Sequence, residues 1–167
     1  MKDVKLKLIS QREIANATFE AVLSGDVSAI TAPGQFVNIK LAGHFLRRPI
    51  SVCDLTDSTV TIIYKVVGEG TEKMSEAPVG TEWQVLCGLG NGYDTSLSGD
   101  RPLLIGGGAG VPPMYLLCKK LIAEGKQPSV ILGFATKNQV FYKQEFTKLG
   151  DSAMYIMKLR TATFPLG

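Results

Sequence analysis

A glycine-rich turn is the part of this chain best suited to hold a ligand. It lies between an apolar run at residues 102–105 and the proline pair at 112–113, and its four glycines are Gly106, Gly107, Gly108 and Gly110. Glycine lets a backbone approach a bulky group, and proline is tolerated in the first turn of a helix. Helix N-terminal amides beside a strand end form a favourable phosphate site. The turn is therefore predicted to face a nucleotide.

A second segment with binding chemistry is Arg48-Pro49-Ile50-Ser51, which directly follows Arg47. A guanidinium at the start of a strand can pair with a diphosphate through two hydrogen bonds, and a serine hydroxyl three residues later can bond to a phosphate or a ring. Taken alone, the motif favours a solvated arginine on an edge strand. The single histidine, His44, precedes it and is expected in a surface loop rather than in contact with a ligand.

The segments that come after this motif in the chain favour a binding role. Tyr64-Lys65-Val66 ends a β-branched run, and Gly70-Thr71 then opens a short predicted helix. That helix provides a second N-terminus suited to phosphate.

Composition excludes several classes of function. The 167 residues carry 18 basic and 15 acidic side chains, a net charge of +3, without a basic run. Because nucleic-acid binding needs clustered Lys and Arg, nucleic acid is not expected as a partner. No apolar stretch approaches the roughly 20 residues of a membrane span, and no signal peptide is evident. The chain is predicted to be soluble and cytoplasmic.

The three cysteines, Cys53, Cys87 and Cys118, are far apart and form no Cys-x-x-Cys pair. An odd number at such spacing supports neither a disulfide framework nor a local metal site. They are predicted to be reduced, buried thiols.

The elements that position these motifs divide into two groups. Up to residue 98, short alternating segments separated by turn residues predict a small antiparallel barrel, with one helix at 71–77 capped by Thr71. From residue 99, the order strand, helix, strand, helix, strand predicts a parallel α/β sheet. The expected domains are 1–98 and 99–167. The predicted barrel strands are 5–10, 17–23, 35–41, 48–53, 60–67 and 82–86.

The second group begins with the apolar run 102–105, which is expected to be a strand buried on both faces. A helix at 112–124 comes next, with Met114, Leu117 and Leu121 on one face. The remaining predicted elements are a strand at 129–134, a helix at 139–149 and a strand at 153–157.

In combination, these motifs resemble the ferredoxin-reductase-like flavoproteins and, among them, the electron transfer subunits of class 1B dihydroorotate dehydrogenases. The resemblance runs from about residue 5 to residue 156. It is carried by Arg48-Pro49-Ile50-Ser51, Gly70-Thr71, Leu89-Gly90-Asn91-Gly92-Tyr93 and the segment 106–113.

The resemblance implies a role for each motif. The barrel would bind FAD, with Arg48, Pro49, Ile50 and Ser51 at the flavin and its diphosphate. Tyr64, Lys65 and Val66 would run along the FAD, and Gly70 and Thr71 would give amides to the diphosphate. Gly106, Gly107, Gly108 and Gly110 would face NADH. Electrons would pass from NADH to FAD, then through a [2Fe-2S] cluster to the FMN of a catalytic subunit in pyrimidine biosynthesis. Such chemistry requires no acid–base residue.

Two departures qualify this implication. The glycine turn has Val111 where a Rossmann fingerprint has its third glycine, and the strand at 129–134 does not end in an acidic residue. No cysteine follows Cys118, although the family holds its cluster with a C-terminal cysteine group. We therefore expect a truncated chain, with a partial nucleotide-binding domain and no metal site. A stand-alone NAD(P)H-dependent flavin reductase, or an FAD-binding fragment without turnover, are the alternatives.

Overall fold

The computed structural model describes residues 1–150 and the backbone of a strand at residues 154–158. The first part of the chain forms β1 (Lys2–Ala15), β2 (Thr18–Ser24), β3 (Phe36–Lys40), β4 (Arg48–Leu55), β5 (Thr59–Lys65), α1 (Glu69–Glu76) and β6 (Glu82–Leu89). The six antiparallel strands close into a barrel with the order β1-β2-β5-β4-β3-β6. Helix α1 lies in the connection between β5 and β6.

The barrel core results from the alternation of apolar and polar residues along the strands. Leu6 and Leu8 of β1, Val37 and Ile39 of β3 and Val85 of β6 are all fully buried. The predicted antiparallel barrel is therefore confirmed.

The first strand is longer than the predicted 5–10. It pairs with β6 through residues 2–7 and with β2 through residues 7–15, so one strand serves both neighbours. Register shifts at Leu8/Ser10 and Glu13/Ala15 interrupt its alternation. Because a bulge moves successive side chains to the other face, the periodicity that predicts a strand is lost there.

Beyond the barrel, a three-stranded parallel sheet has the order β7-β8-β9. Its strands are joined by helices, as the sequence predicts, and β8 has the predicted bounds. The described elements are β7 (Leu103–Gly107), α2 (Val111–Ala123), β8 (Ser129–Phe134), α3 (Lys143–Lys148) and β9 (Met154–Lys158). The division of domains at residue 98 stays a prediction.

Helix α2 packs between the sheet and the barrel. Met114, Leu117 and Leu121, which the sequence predicts to lie on one face of the helix, are buried and share one apolar cluster with Leu104 of β7 and Cys53 of β4. Beside this cluster, Nζ of Lys119 lies 2.6 Å from a carboxylate oxygen of Asp54, which joins α2 to β4. The two parts of the fold therefore share one apolar cluster at their boundary, beside the core of the barrel.

Two expectations for the second half are wrong. Strand β7 is not buried on both faces: Leu104 is 6% exposed, whereas Leu103 and Ile105 are 56% and 66% exposed, since α2 covers only one face. Helix α3 is shorter than the predicted 139–149, because Tyr142 has a φ of 62° and the helix begins after it.

No helix in the described part of the chain is long and apolar enough to cross a membrane.

Candidate functional site

A cleft of about 610 Å³ lies between the barrel and the parallel sheet. Its volume falls in the range of about 300–1,000 Å³ typical of small-molecule sites. Nine of the thirteen residues predicted for the site line it: Arg48, Pro49, Ile50, Ser51, Tyr64, Lys65, Thr71, Gly107 and Gly108. The cleft therefore unites the arginine motif and the glycine turn, which are about sixty residues apart in the sequence.

The topology explains why the cleft forms here. Gly107 and Phe134 are the last residues of β7 and β8, and ligands of parallel sheets bind outside the carboxyl ends of the strands. The sheet directs these ends toward β4 and β5 of the barrel. The connection after β8 adds residues that sequence reasoning missed, namely Ala135, Gln139 and Phe141. Their position after a strand of the sheet is the signal that could have found them.

The guanidinium of Arg48 is held in place on the barrel side of the cleft. Its Nη1 donates to the carbonyl oxygen of Leu46 at 2.6 Å, and its Nη2 lies 3.3 Å from Nδ1 of His44. It also lies against Gly70 of α1, where an added Cβ would come within 2.1 Å of Arg48 Nε. A fixed positive charge thus faces the cleft beside the first turn of a helix.

The first turn of α1 offers amides to the same region. The residue at the N-cap is Gly68, so the prediction that Thr71 caps the helix is wrong. Instead, the Thr71 hydroxyl accepts hydrogen bonds from the amides of Val67 and Gly68 and donates to the Gly68 carbonyl. Amides in the first turn of a helix have no intrahelical acceptor, so those of α1 remain available for an anion.

The predicted Tyr64-Lys65-Val66 segment divides between the cleft and the core. Tyr64 is 4% exposed, and its hydroxyl donates to Oε1 of Gln11 at 2.9 Å. Burial raises the pKa of Tyr64 well above its usual range. Val66 does not line the cleft: it packs against the barrel core, and its amide donates to the Ala17 carbonyl. Val67, just beyond the end of β5, lines the cleft instead.

The four turn glycines also have different positions. Gly107 and Gly108 line the cleft, and Gly108 has a φ of +50°, which favours glycine. Gly106 belongs to β7 and lies outside the cleft, where a Cβ would come within 2.7 Å of the Gly110 carbonyl oxygen and 3.0 Å of Met114. A Cβ on Gly110 would meet open space. Gly106 therefore serves the packing of strand on helix.

A polar network next to the cleft ties its two sides together. The Tyr142 hydroxyl donates to Glu20 of β2 at 2.7 Å, and the same carboxylate accepts a hydrogen bond from Nε of Arg12. Burial is the main cause that raises the pKa of Tyr142, and the nearby Cys53 is the second. Because the phenol stays neutral, it remains a donor to Glu20 across the boundary between barrel and sheet.

The cysteines form no metal site within the described residues. All three are buried, and no group of three or more His, Cys, Asp or Glu side chains in that part of the chain could hold a metal ion. Burial raises the pKa of Cys53, and it raises the pKa of Cys87 to about 11. These thiols therefore stay protonated near neutral pH.

Comparison with known proteins supports the resemblance drawn from the motifs. No family model matches the chain. The chain is 44% identical over 160 residues to the electron transfer subunit of dihydroorotate dehydrogenase B (NAD(+)) from Bacillus pumilus, and 42% identical to the subunit of that name from Bacillus mycoides. Each alignment covers 91% of this chain and 62% of the relative, so the chain spans less than two thirds of the relatives' length.

Solved structures show the same fold. An NADH-dependent reduced ferredoxin-NADP oxidoreductase, described for flavin-based electron bifurcation, superposes with a TM-score of 0.81 and 28% identity, over 90% of this chain and 55% of that one. Phthalate dioxygenase reductase superposes with a TM-score of 0.78 and 19% identity, over 98% of this chain and 55% of that one. The ferredoxin-reductase-like fold and the resemblance to dihydroorotate dehydrogenase electron transfer subunits are thus confirmed.

Proposed function

We propose that this homologue of the electron transfer subunits of dihydroorotate dehydrogenase B binds FAD in the cleft and passes electrons from NADH toward a catalytic dihydroorotate dehydrogenase subunit. One observation carries the proposal: the cleft is lined both by Arg48-Pro49-Ile50-Ser51 and by the turn containing Gly107 and Gly108. Two nucleotide-binding features therefore share one cavity, as the transfer of electrons from one nucleotide to another requires.

The residues present fit an FAD diphosphate. The Arg48 guanidinium supplies positive charge beside the first-turn amides of α1, and Gly70, which has no side chain, leaves the space in which that guanidinium lies. The apolar side chains of Pro112, Phe134 and Phe141 line the sheet side of the cleft and give it an apolar surface against which a flavin could pack. When bound, FAD would supply the redox chemistry, taking two electrons with a hydride and releasing them singly.

On the sheet side, the turn at Gly107 and Gly108 would bring backbone close to the nicotinamide nucleotide. A hydride transfer between two held rings needs orientation and exclusion of water rather than a proton shuttle. Accordingly, we assign no acid or base to the cleft.

The residues of this chain do not fit an iron–sulfur cluster. Such a cluster needs four thiolate ligands, and the chain has three cysteines, all buried. No electron-transfer step is assigned to a cluster here. The catalytic partner is part of the proposal and is supported by the names of the relatives, which describe an electron transfer subunit of dihydroorotate dehydrogenase B. FMN as the acceptor on that partner belongs to the proposal alone.

Titration with FAD tests the proposal directly. Quenching of flavin fluorescence should reveal saturable binding to the wild-type protein, and Arg48→Ala should weaken it by about 2 kcal/mol, or roughly 30-fold. Arg101→Ala, which removes the same charge at an exposed position away from the cleft, is the matched control and should bind normally. Absence of binding to the wild type, or equal affinities for both variants, would contradict the proposed site.

Anaerobic addition of NADH to the FAD complex tests the second half of the proposal. Bleaching of the flavin absorbance near its visible maximum is expected if NADH reaches the cleft. If the bound FAD stays oxidised after NADH is added, the proposed transfer of electrons from NADH is contradicted and only FAD binding remains.

A further inference from the structure

The side chain of the single histidine is nearly buried, although the neighbouring residues of its loop are exposed. The His44 side chain is only 9% exposed, although Phe45 and Leu46 beside it are 100% and 68% exposed. Its Nδ1 lies 3.3 Å from Nη2 of Arg48. Its Nε2 is buried without a hydrogen-bond partner among the described residues, and the nearest carboxylate oxygen, on Glu69, is 3.8 Å away. His44 therefore lies in a surface loop, as expected, but its side chain packs inward against Arg48.

The chemistry of arginine determines how this contact is made. A guanidinium has five N–H donors and no acceptor, and it keeps its charge at all accessible pH values. The contact is therefore a hydrogen bond only if Nδ1 of His44 accepts. A neutral imidazole that accepts at Nδ1 carries its hydrogen on Nε2, which is the nitrogen nearer to Glu69. His44 can therefore hydrogen-bond to Arg48 only as an acceptor at Nδ1.

With His44 included, Arg48 has three restraints. Leu46 accepts from Nη1, His44 accepts from Nη2, and the backbone of Gly70 lies against Nε and Cζ. An arginine side chain otherwise loses much rotamer freedom when it binds an anion. Side chains that hold a binding group in place before the ligand arrives lower that cost.

We propose that His44 is a positioning residue, which holds the Arg48 guanidinium over the start of α1 in the orientation that receives an anionic diphosphate. The inference rests on the proposed function in one respect, since FAD is taken as the source of the diphosphate. His44 acts through Arg48 and touches no ligand itself. Its contribution lies in the acceptor at the Nδ1 position and not in the bulk or charge of the ring.

Three variants separate an acceptor from a space-filling side chain. His44→Asn places an amide oxygen near the position of Nδ1, His44→Leu has similar size without an acceptor, and His44→Ala removes both. We expect the Leu and Ala variants to bind FAD roughly tenfold more weakly than the wild type, and the Asn variant to remain within about threefold. Affinity is read from flavin fluorescence quenching, and urea unfolding of the FAD-free proteins verifies that each variant is folded.

The outcomes distinguish this inference from the proposed function. If the wild type binds no FAD, the proposed function fails. If the wild type binds FAD and all three variants share one affinity, whether normal or weakened, the positioning role is overturned. Recovery in the Asn variant alone supports it. Should the Leu variant not fold, His44→Val, which has about the size of asparagine but no acceptor, takes its place in the comparison.

Discussion

The most informative single change is Gly70→Ala. An alanine Cβ at this position would lie 2.1 Å from Nε, 2.3 Å from Nη2 and 2.5 Å from Cζ of Arg48. Because the guanidinium is the end of a flexible side chain, it would move and the helix would not. The substitution therefore displaces the guanidinium of Arg48, which is proposed to bind the diphosphate, without disturbing the backbone of α1.

The effects on stability and on binding should have different sizes. Alanine stabilises a helix by up to about 1 kcal/mol relative to glycine. The loss of the hydrogen bonds of Arg48 destabilises the folded state by roughly the same amount, so the two effects nearly cancel. The free energy of unfolding should thus change by less than about 1 kcal/mol. Hydrogen bonds to charged groups contribute about 1.5–3 kcal/mol, so the dissociation constant for FAD should rise by roughly 10- to 100-fold.

Urea unfolding of the FAD-free protein and fluorescence titration with FAD measure the two quantities separately. Gly99→Ala is the matched control, because a Cβ there meets no atom within 4 Å and Gly99 lies outside the cleft. Wild-type affinity in Gly70→Ala would refute the reasoning. So would an equal loss of affinity in Gly99→Ala.

Three further outcomes are expected. Gly106→Ala should lower the free energy of unfolding, measured in urea, by about 1–3 kcal/mol, because its Cβ would meet the Gly110 backbone. Gly110→Ala is the control: its Cβ has open space around it, so the free energy of unfolding should stay within about 0.5 kcal/mol of the wild-type value. Tyr142→Phe should cost about 1–3 kcal/mol by denaturant unfolding, because the Glu20 carboxylate loses the donor to its Oε2 and keeps only Arg12 at its Oε1; an unchanged midpoint would contradict this. At pH 8 the three buried thiols should react with an aromatic disulfide reagent only after unfolding, whereas rapid reaction of the native protein would disprove their burial.

Much of the architecture was predictable from local pattern. Alternation of apolar residues predicts the barrel strands, and the bounds of β8 agree with the prediction because a short apolar run between turn residues leaves little choice. The bulged half of β1 was not predictable, since a bulge interrupts the alternation on which such a prediction depends. The start of α3 was missed because the left-handed backbone of Tyr142 has no signal in its residue type.

For the candidate site, residue types alone predicted two segments suited to bind a nucleotide, because a guanidinium can pair with a diphosphate and glycines before a helix leave amides open to a phosphate. Tertiary structure decided which residues share the cleft. It placed Val66 and Gly106 in packing roles and brought Phe134 and Phe141 to the site. It also buried His44 against Arg48, a contact that depends on the path of the loop between β3 and β4. Contacts made by folding depend on distances through space, which spacing along a chain does not encode.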